Sequence, residues 1–205
     1  MEVLPIISSC KQCTLKSLLF TKMTDSELDY INNYRQEIIY DKGELIIQEG
    51  AEINEFLYLK NGLVKLVKKG ESHRERIISI ARPLDFVSLL STFSERHYQY
   101  SITALEQSIV CSIQLESMKQ VIRKNGGFAL ELLEHLTRSS NLVIQSTYDI
   151  DDKHLRGRIA YILLWFSNKI YHSDSFELPV SRKENRRTGF SFPAACFGKP
   201  QPTGE

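Results

Sequence analysis

The chain has 205 residues, with 26 Lys and Arg against 25 Asp and Glu for a formal net charge of +1. No global basic field therefore argues for nucleic acid, and such a role must rest on local patches. A hydrophobic content of 42% suffices for a proper core, as one domain plus a helical extension, and excludes wholesale disorder. No apolar run approaches a bilayer span, and the N-terminal MEVLPIISSC lacks the basic head and long apolar core of a secretory leader. The expected location is the cytoplasm, with no membrane partner. There, four cysteines point to free thiols, metal ligands or redox chemistry before structural disulfides.

Along the chain, Cys10-x-x-Cys13 comes first; without a second pair it falls short of zinc's four ligands and leaves a reversible thiol pair open. Thr24-Asp25-Ser26-Glu27 has the form of a capping box and predicts a short amphipathic helix carrying Leu28 and Ile31. Residues 40–67 then hold three apolar runs, at 45–47, 56–59 and 63–67, punctuated by Gly43, Gly50 and Asn61-Gly62. Asn61-Gly62 predicts a two-residue type I′ hairpin with positive φ at both positions. Further strands are expected over 74–80, 99–105 and 108–113, the last with Ile109, Cys111 and Ile113 on one face. Together they would close an antiparallel double-stranded β-roll, giving an α+β fold.

From Leu115 the period changes to three and four. Leu115, Met118 and Ile122 open a short helix expected to end on Asn125-Gly126-Gly127 as a C-cap. A longer helix over about 128–148 places Leu132, Leu136, Ser139, Val143 and Ser146 at coiled-coil steps, a seam that fits a homodimer contact and also ordinary intramolecular core. Asp151 and Asp152 are expected at the start of a following helix, whose buried face takes Leu155, Ile159, Ile162, Leu163 and Phe166. Trp165 is read as core and not as a ligand platform. Ser181 and Glu184 announce another helix, but 185–205 carries no apolar period and holds Pro193, Pro200 and Pro202, half of the six prolines. That tail is expected to be disordered.

The Lys42-Gly43-Glu44 turn, the Glu49-Gly50 turn, the stretch YLKNGLVKL over 58–66 and Ala104-Leu105-Glu106 follow one another here. In that combination the chain resembles the Crp/Fnr family of transcription regulators over residues 10–184. The resemblance implies an effector-sensing cyclic-nucleotide-binding-like roll at 1–125 and a dimerisation helix with a connecting helix at 126–172. It also implies the start of a winged helix-turn-helix at 173–184, followed by an aberrant tail at 185–205. A support helix, a recognition helix and a wing are expected and missing, so the chain would read DNA only with that C-terminal domain restored. Arg182 and Lys183 would give at most sequence-blind phosphate contacts.

The family's cyclic-AMP readers hold ribose with a Gly-Glu pair and phosphate with an Arg-Ser or Arg-Thr pair. The matching positions here are Ser88-Leu89 and Tyr100-Ser101, which makes Phe86, Val87, Ser88, Leu89, Tyr100 and Ser101 the candidate pocket for an unknown small-molecule effector. Leucine accepts no hydroxyl hydrogen bond and tyrosine offers no guanidinium, so the residues argue against cyclic AMP. Cys10, Cys13 and Cys111 match three of four ligand positions of the family's oxygen sensors, which carry an iron–sulfur cluster; the fourth position is Leu19. Cys111 also has a sufficient reading as a small apolar core residue. Two other readings stand beside this one: a stand-alone dimeric small-molecule or redox sensor without DNA binding, and a cupin-like enzyme. His73, His97, His135, His154 and His172 are scattered, with no metal-binding spacing and no catalytic motif, so no enzyme is expected.

Overall fold

The computed structural model describes residues 2–4, 10–11, 13, 20–69, 75–83, 85, 87–151 and 153–179. The predicted capping box forms around α1 (Asp25–Asn32): Glu27 N donates to Thr24 Oγ1 at 3.3 Å, and Thr24 N donates to Glu27 Oε2 at 2.7 Å. Leu28 and Ile31, three apart on this helix, are buried as the spacing requires. There are eight strands among the described residues, of which β1 (Glu2–Leu4) and β2 (Arg35–Tyr40) were not expected and six follow the expected runs: β3 (Leu45–Ile47), β4 (Glu55–Asn61), β5 (Val64–Lys69), β6 (Glu75–Ala81), β7 (Ser101–Ala104) and β8 (Ser108–Gln114). They build two antiparallel four-stranded sheets: sheet A in the order β1-β2-β8-β4 and sheet B in the order β3-β7-β5-β6. This is the β-roll that the turn spacing predicts.

The hairpin expectation at Asn61-Gly62 is corrected. β4 pairs with β8 and β5 pairs with β6 and β7, so this turn passes the chain from sheet A to sheet B. Only Gly62 takes positive φ, at 90°, while Asn61 stays in strand β4. Glycine is required here twice over. A Cβ would collide with the Gln107 carbonyl and the Ser108 backbone, because the turn lies directly on the start of β8. Ser108 Oγ then accepts from Leu63 N at 3.2 Å and donates to Glu106 O at 2.8 Å, fixing the crossover.

Four helices complete the described chain: α2 (Leu89–Thr92), α3 (Leu115–Lys124), α4 (Gly126–Asp151) and α5 (Leu155–Trp165), the last running straight into a π-helix at Phe166–Tyr171. The expected glycine C-cap after α3 is absent. Asn125 is extended, and its Oδ1 accepts from Phe128 N at 2.9 Å, so it caps the start of α4, to which both glycines belong. Asp151 closes α4 and does not open α5, while Asp152 lies outside the described residues. On α5, Ile162 and Trp165 are buried with Phe166, as expected of a core stripe, but Leu163 is 41% exposed. The widened π turn rotates the buried face toward the aromatic residues. Among the described residues no helix is long and apolar enough to cross a membrane.

Apolar side chains gather in two clusters. The first fills the roll and includes Phe56, Tyr58, Leu59, Val64, Ile102, Val110, Met118, Phe128 and Leu132. The second joins Leu63, Val67, Ile77, Ile80 and Leu105 from the roll to Ile162, Trp165 and Phe166. The helix start announced at 181–184, with Arg182 and Lys183, and the tail at 185–205 lie outside the described residues.

Candidate functional site

Between β6 and β7 the chain enters the short α2 and returns through Tyr98 and Tyr100. Val87, Ser88 and Tyr100, three of the candidate pocket residues, are brought together and are 1%, 0% and 4% exposed. They bind the roll itself. Ser88 Oγ accepts from Leu57 N at 2.9 Å, Thr92 Oγ1 donates to Ser88 O at 2.6 Å, and Tyr100 Oη donates to Val87 O at 3.2 Å. Tyr98 Oη reaches Glu55 O at 3.3 Å, with its ring edge-on to Tyr100. Burial pushes the Tyr100 hydroxyl up to about 12, so it remains a neutral donor at physiological pH. Ser101 is half-buried, and its Oγ accepts from Glu49 N at 3.0 Å. Phe86 and the side chain of Leu89 lie outside the described residues. Asp85 is the nearby acid, but it accepts from Arg82 N at 2.9 Å, and burial raises its carboxyl.

A second constellation lies on sheet A, and of its members the sequence points only to Cys10 and Cys111. The register pairs Glu37 of β2 with Cys111 of β8, and Cys111 in turn with Tyr58 of β4, so the three share one face. Arg35 Nη1 donates to Glu37 Oε1 at 2.6 Å with side chains only 1% and 2% exposed, and Lys60 Nζ reaches Glu37 Oε2 at 2.8 Å. Arg35 also donates from Nε to Asn32 Oδ1 at 3.0 Å and from Nη1 to Cys111 Sγ at 3.8 Å. The Asn32 oxygen accepts from Cys10 N at 3.2 Å as well, which ties the N-terminal segment to the network. Phe20 covers the same face, with its ring 5.7 Å from Tyr58 and 5.9 Å from Phe128 at the start of α4.

Burial raises the Glu37 carboxyl, but hydrogen bonds from Lys60 and Arg35 outweigh it and leave the group below the usual glutamate range. Burial pushes the Cys10 thiol up to about 11 against the pull of Arg35. It also raises Cys111, against hydrogen bonds from Tyr58 and Arg35. Both thiols are therefore protonated at neutral pH. Among the described residues no three His, Cys, Asp or Glu side chains gather as a metal's donor set. A guanidinium already faces Cys111 Sγ, and the fourth ligand position of an iron–sulfur cluster is Leu19, so the residues present do not fit that cofactor.

Leu132 is buried in the roll's own cluster and the partly buried Leu136 packs against it, the intramolecular reading of these two seam positions. Ser139 is exposed, while the side chains of Val143 and Ser146 lie outside the described residues. The open face of α4 carries Leu130, Leu133 and Ile144, at 57%, 56% and 57% exposure. Beside the end of sheet A, an open groove of about 610 Å³ is lined by Tyr34, Gln36, Asn54, Glu55, Gln114 and Lys119.

Residues 37–125 match the family model described as "Cyclic nucleotide-binding domain". The chain is 22% identical over 165 residues to the "cAMP-activated global transcriptional regulator CRP" of Salmonella typhimurium, covering 78% of this chain and 79% of that protein. It is 23% identical over 195 residues to the "Transcriptional activator protein FnrL" of Cereibacter sphaeroides, covering 89% and 76%. In fold it resembles the crystal structure of DNR from Pseudomonas aeruginosa, with a TM-score of 0.56 and 20% identity over 90% of this chain and 81% of that one. The roll is thus a domain of the cyclic nucleotide-binding type. The chain is similar, at 22–23% identity, to transcription regulators of the Crp/Fnr type.

Proposed function

We propose that this chain supplies the sensing and pairing parts of a Crp/Fnr-type regulator, and that its effector is a small molecule other than cyclic AMP. Residues 1–125 act as the sensor, and 126–172 carry pairing and connection. It works in the cytoplasm as a homodimer and is not an enzyme. The observation that carries this reading is the closed Val87–Ser88–Tyr100 network, which presents neither a carboxylate for ribose nor a guanidinium for phosphate. An effector event in the roll shifts the population of two arrangements of the long helices. Sequence-specific DNA reading is not assigned to the described residues, and the alternative of a stand-alone dimeric sensor keeps the same site.

Isothermal titration calorimetry with cyclic AMP tests the sensor reading: no saturable heat is expected, and one-to-one binding per chain overturns it. Pairing is supported by the exposed Leu130, Leu133 and Ile144 on α4, at three-residue and heptad-compatible spacing. Sedimentation equilibrium is expected to show a dimer that Leu133→Asp converts to monomer. A monomeric parent chain overturns the pairing.

A further inference from the structure

Sheet B is apolar on both faces, and this is unusual for an outer wall of a roll. On β5, Val64 and Leu66 enter the first cluster, while Leu63, just before the strand, and Val67 enter the second. At the end of β7, Ala104 faces the first cluster and Leu105 the second. On β6, Ile77 and Ile80 both belong to the second cluster although they are three apart, a spacing that in a regular strand puts side chains on opposite faces. The register explains it. Lys65 pairs with Ile80, Leu66 with Ser79 and Val67 with Ile77, so Ile78 is the extra residue of a bulge that brings Ile77 and Ile80 to the same side. A bulge that re-aims two isoleucines outward builds a seat, and an uncovered seat of that kind would be a liability.

Its occupant is the segment that follows the long helix. Ile162, Trp165 and Phe166 are 2%, 0% and 0% exposed in this cluster. The π-helix then closes on His172 in the left-handed region, at φ 48°, with Ser173 N donating to Ser167 O at 3.1 Å. That reversal brings Tyr171 and Phe176 into a stack, with centroids 5.2 Å apart and planes at 17°. Phe166 lies 6.2 Å from each of these rings, so one aromatic group spans both sides of the reversal.

We propose that residues 155–178 are a latch: a segment seated in cis on the outer face of sheet B, through the bulge-built seat. Because β5 alternates between the roll's interior and the seat, movement of that strand on effector binding reaches the latch directly. The latch stands independently of which effector the roll takes, and independently of pairing through α4.

Trp165 is the only tryptophan of the chain, so its emission reports the latch without labelling. In the full chain, short-wavelength emission resistant to iodide quenching is expected. Ile80→Asp places a charge in the seat and is expected to shift emission to the red and raise the quenching constant toward that of free indole, while far-UV circular dichroism keeps the roll's signal. Phe176→Ala, on the latch and outside the roll, is expected to raise quenching in the same direction, and it decides the matter if Ile80→Asp does not fold. Ile102→Val, on the inner face of sheet B, tests transmission and is expected to raise quenching measurably. Free quenching in the parent chain, or unchanged quenching in Phe176→Ala, overturns the latch; unchanged quenching in Ile102→Val overturns its coupling to the roll.

Discussion

Glu37 on sheet A sits between Arg35 and Lys60 with its side chain 2% exposed, whereas on sheet B Ile77 and Ile80 share a cluster with Trp165 and Phe166. Both sheets need a cover on the face that carries these residues, and they obtain it by opposite means. On sheet A the cover is tied down through directional hydrogen bonds: Arg35 reaches Cys111 and Asn32, and the Asn32 oxygen also accepts from the Cys10 amide. Sheet B takes its cover by apolar area, which is indifferent to pH and tolerant of small changes in shape. The lesson is that a single roll can carry one wall sensitive to charge and another sensitive only to packing.

The sharpest way to break this contrast is Glu37→Ala. It leaves two cations without their shared carboxylate in a buried site and is expected to cost about 3–5 kcal/mol in urea denaturation. A loss of a few tenths would mean that sheet A is held by area too. Acidification probes the same group with the sign fixed. Its folded carboxyl lies below the ordinary glutamate range, so its contribution is present above that range and is lost as pH falls through the depressed value. Urea midpoints measured across acidic pH are expected to drop in the parent chain and to drop less in Glu37→Gln, while a sheet B variant such as Ile80→Val keeps the parent's slope.

Gly62→Ala strikes the crossover that joins the two sheets. Positive φ alone costs about 1–2 kcal/mol, and the collision with Gln107 and Ser108 adds to it. A near-neutral midpoint would show that the crossover moves freely. Ile80→Val on sheet B is expected to cost about 0.5–1.5 kcal/mol, the usual loss of one methylene. Thr24→Ala, away from both walls, removes the α1 cap for about 1 kcal/mol and serves as the local reference for either.

Where a signal is local, the sequence carries it. The Thr24 capping box, the glycine turns and the change of period at Leu115 each depend on neighbours within a few positions, and each appears in the structure. Asn61-Gly62 shows the limit: the glycine was legible as a turn, but whether the next strand returns to the same sheet depends on β8, far along the chain. Asn125 shows another, since its side chain caps the helix that follows and so overrides the glycine C-cap that composition suggests. Arg35, Gln36 and Glu37 form a polar run with nothing local to mark burial; the cover supplied by Cys10 and Phe20 is what encloses Arg35 and Glu37. For the candidate pocket, the sequence located Ser88 and Tyr100 together and showed the absent charges, but not that both turn inward to hydrogen-bond the roll.

The central claim is that this pocket is closed in the resting chain by its own side chains. Native-state hydrogen exchange of the ligand-free protein tests it most directly, through the amide of Leu57 held by Ser88 Oγ and the amides of Ser91 and Thr92 held by Ser88 O. Closure predicts that these exchange as slowly as the amides in the β4–β8 ladder. Exchange at the rate of an open loop, with that ladder still protected, would contradict it.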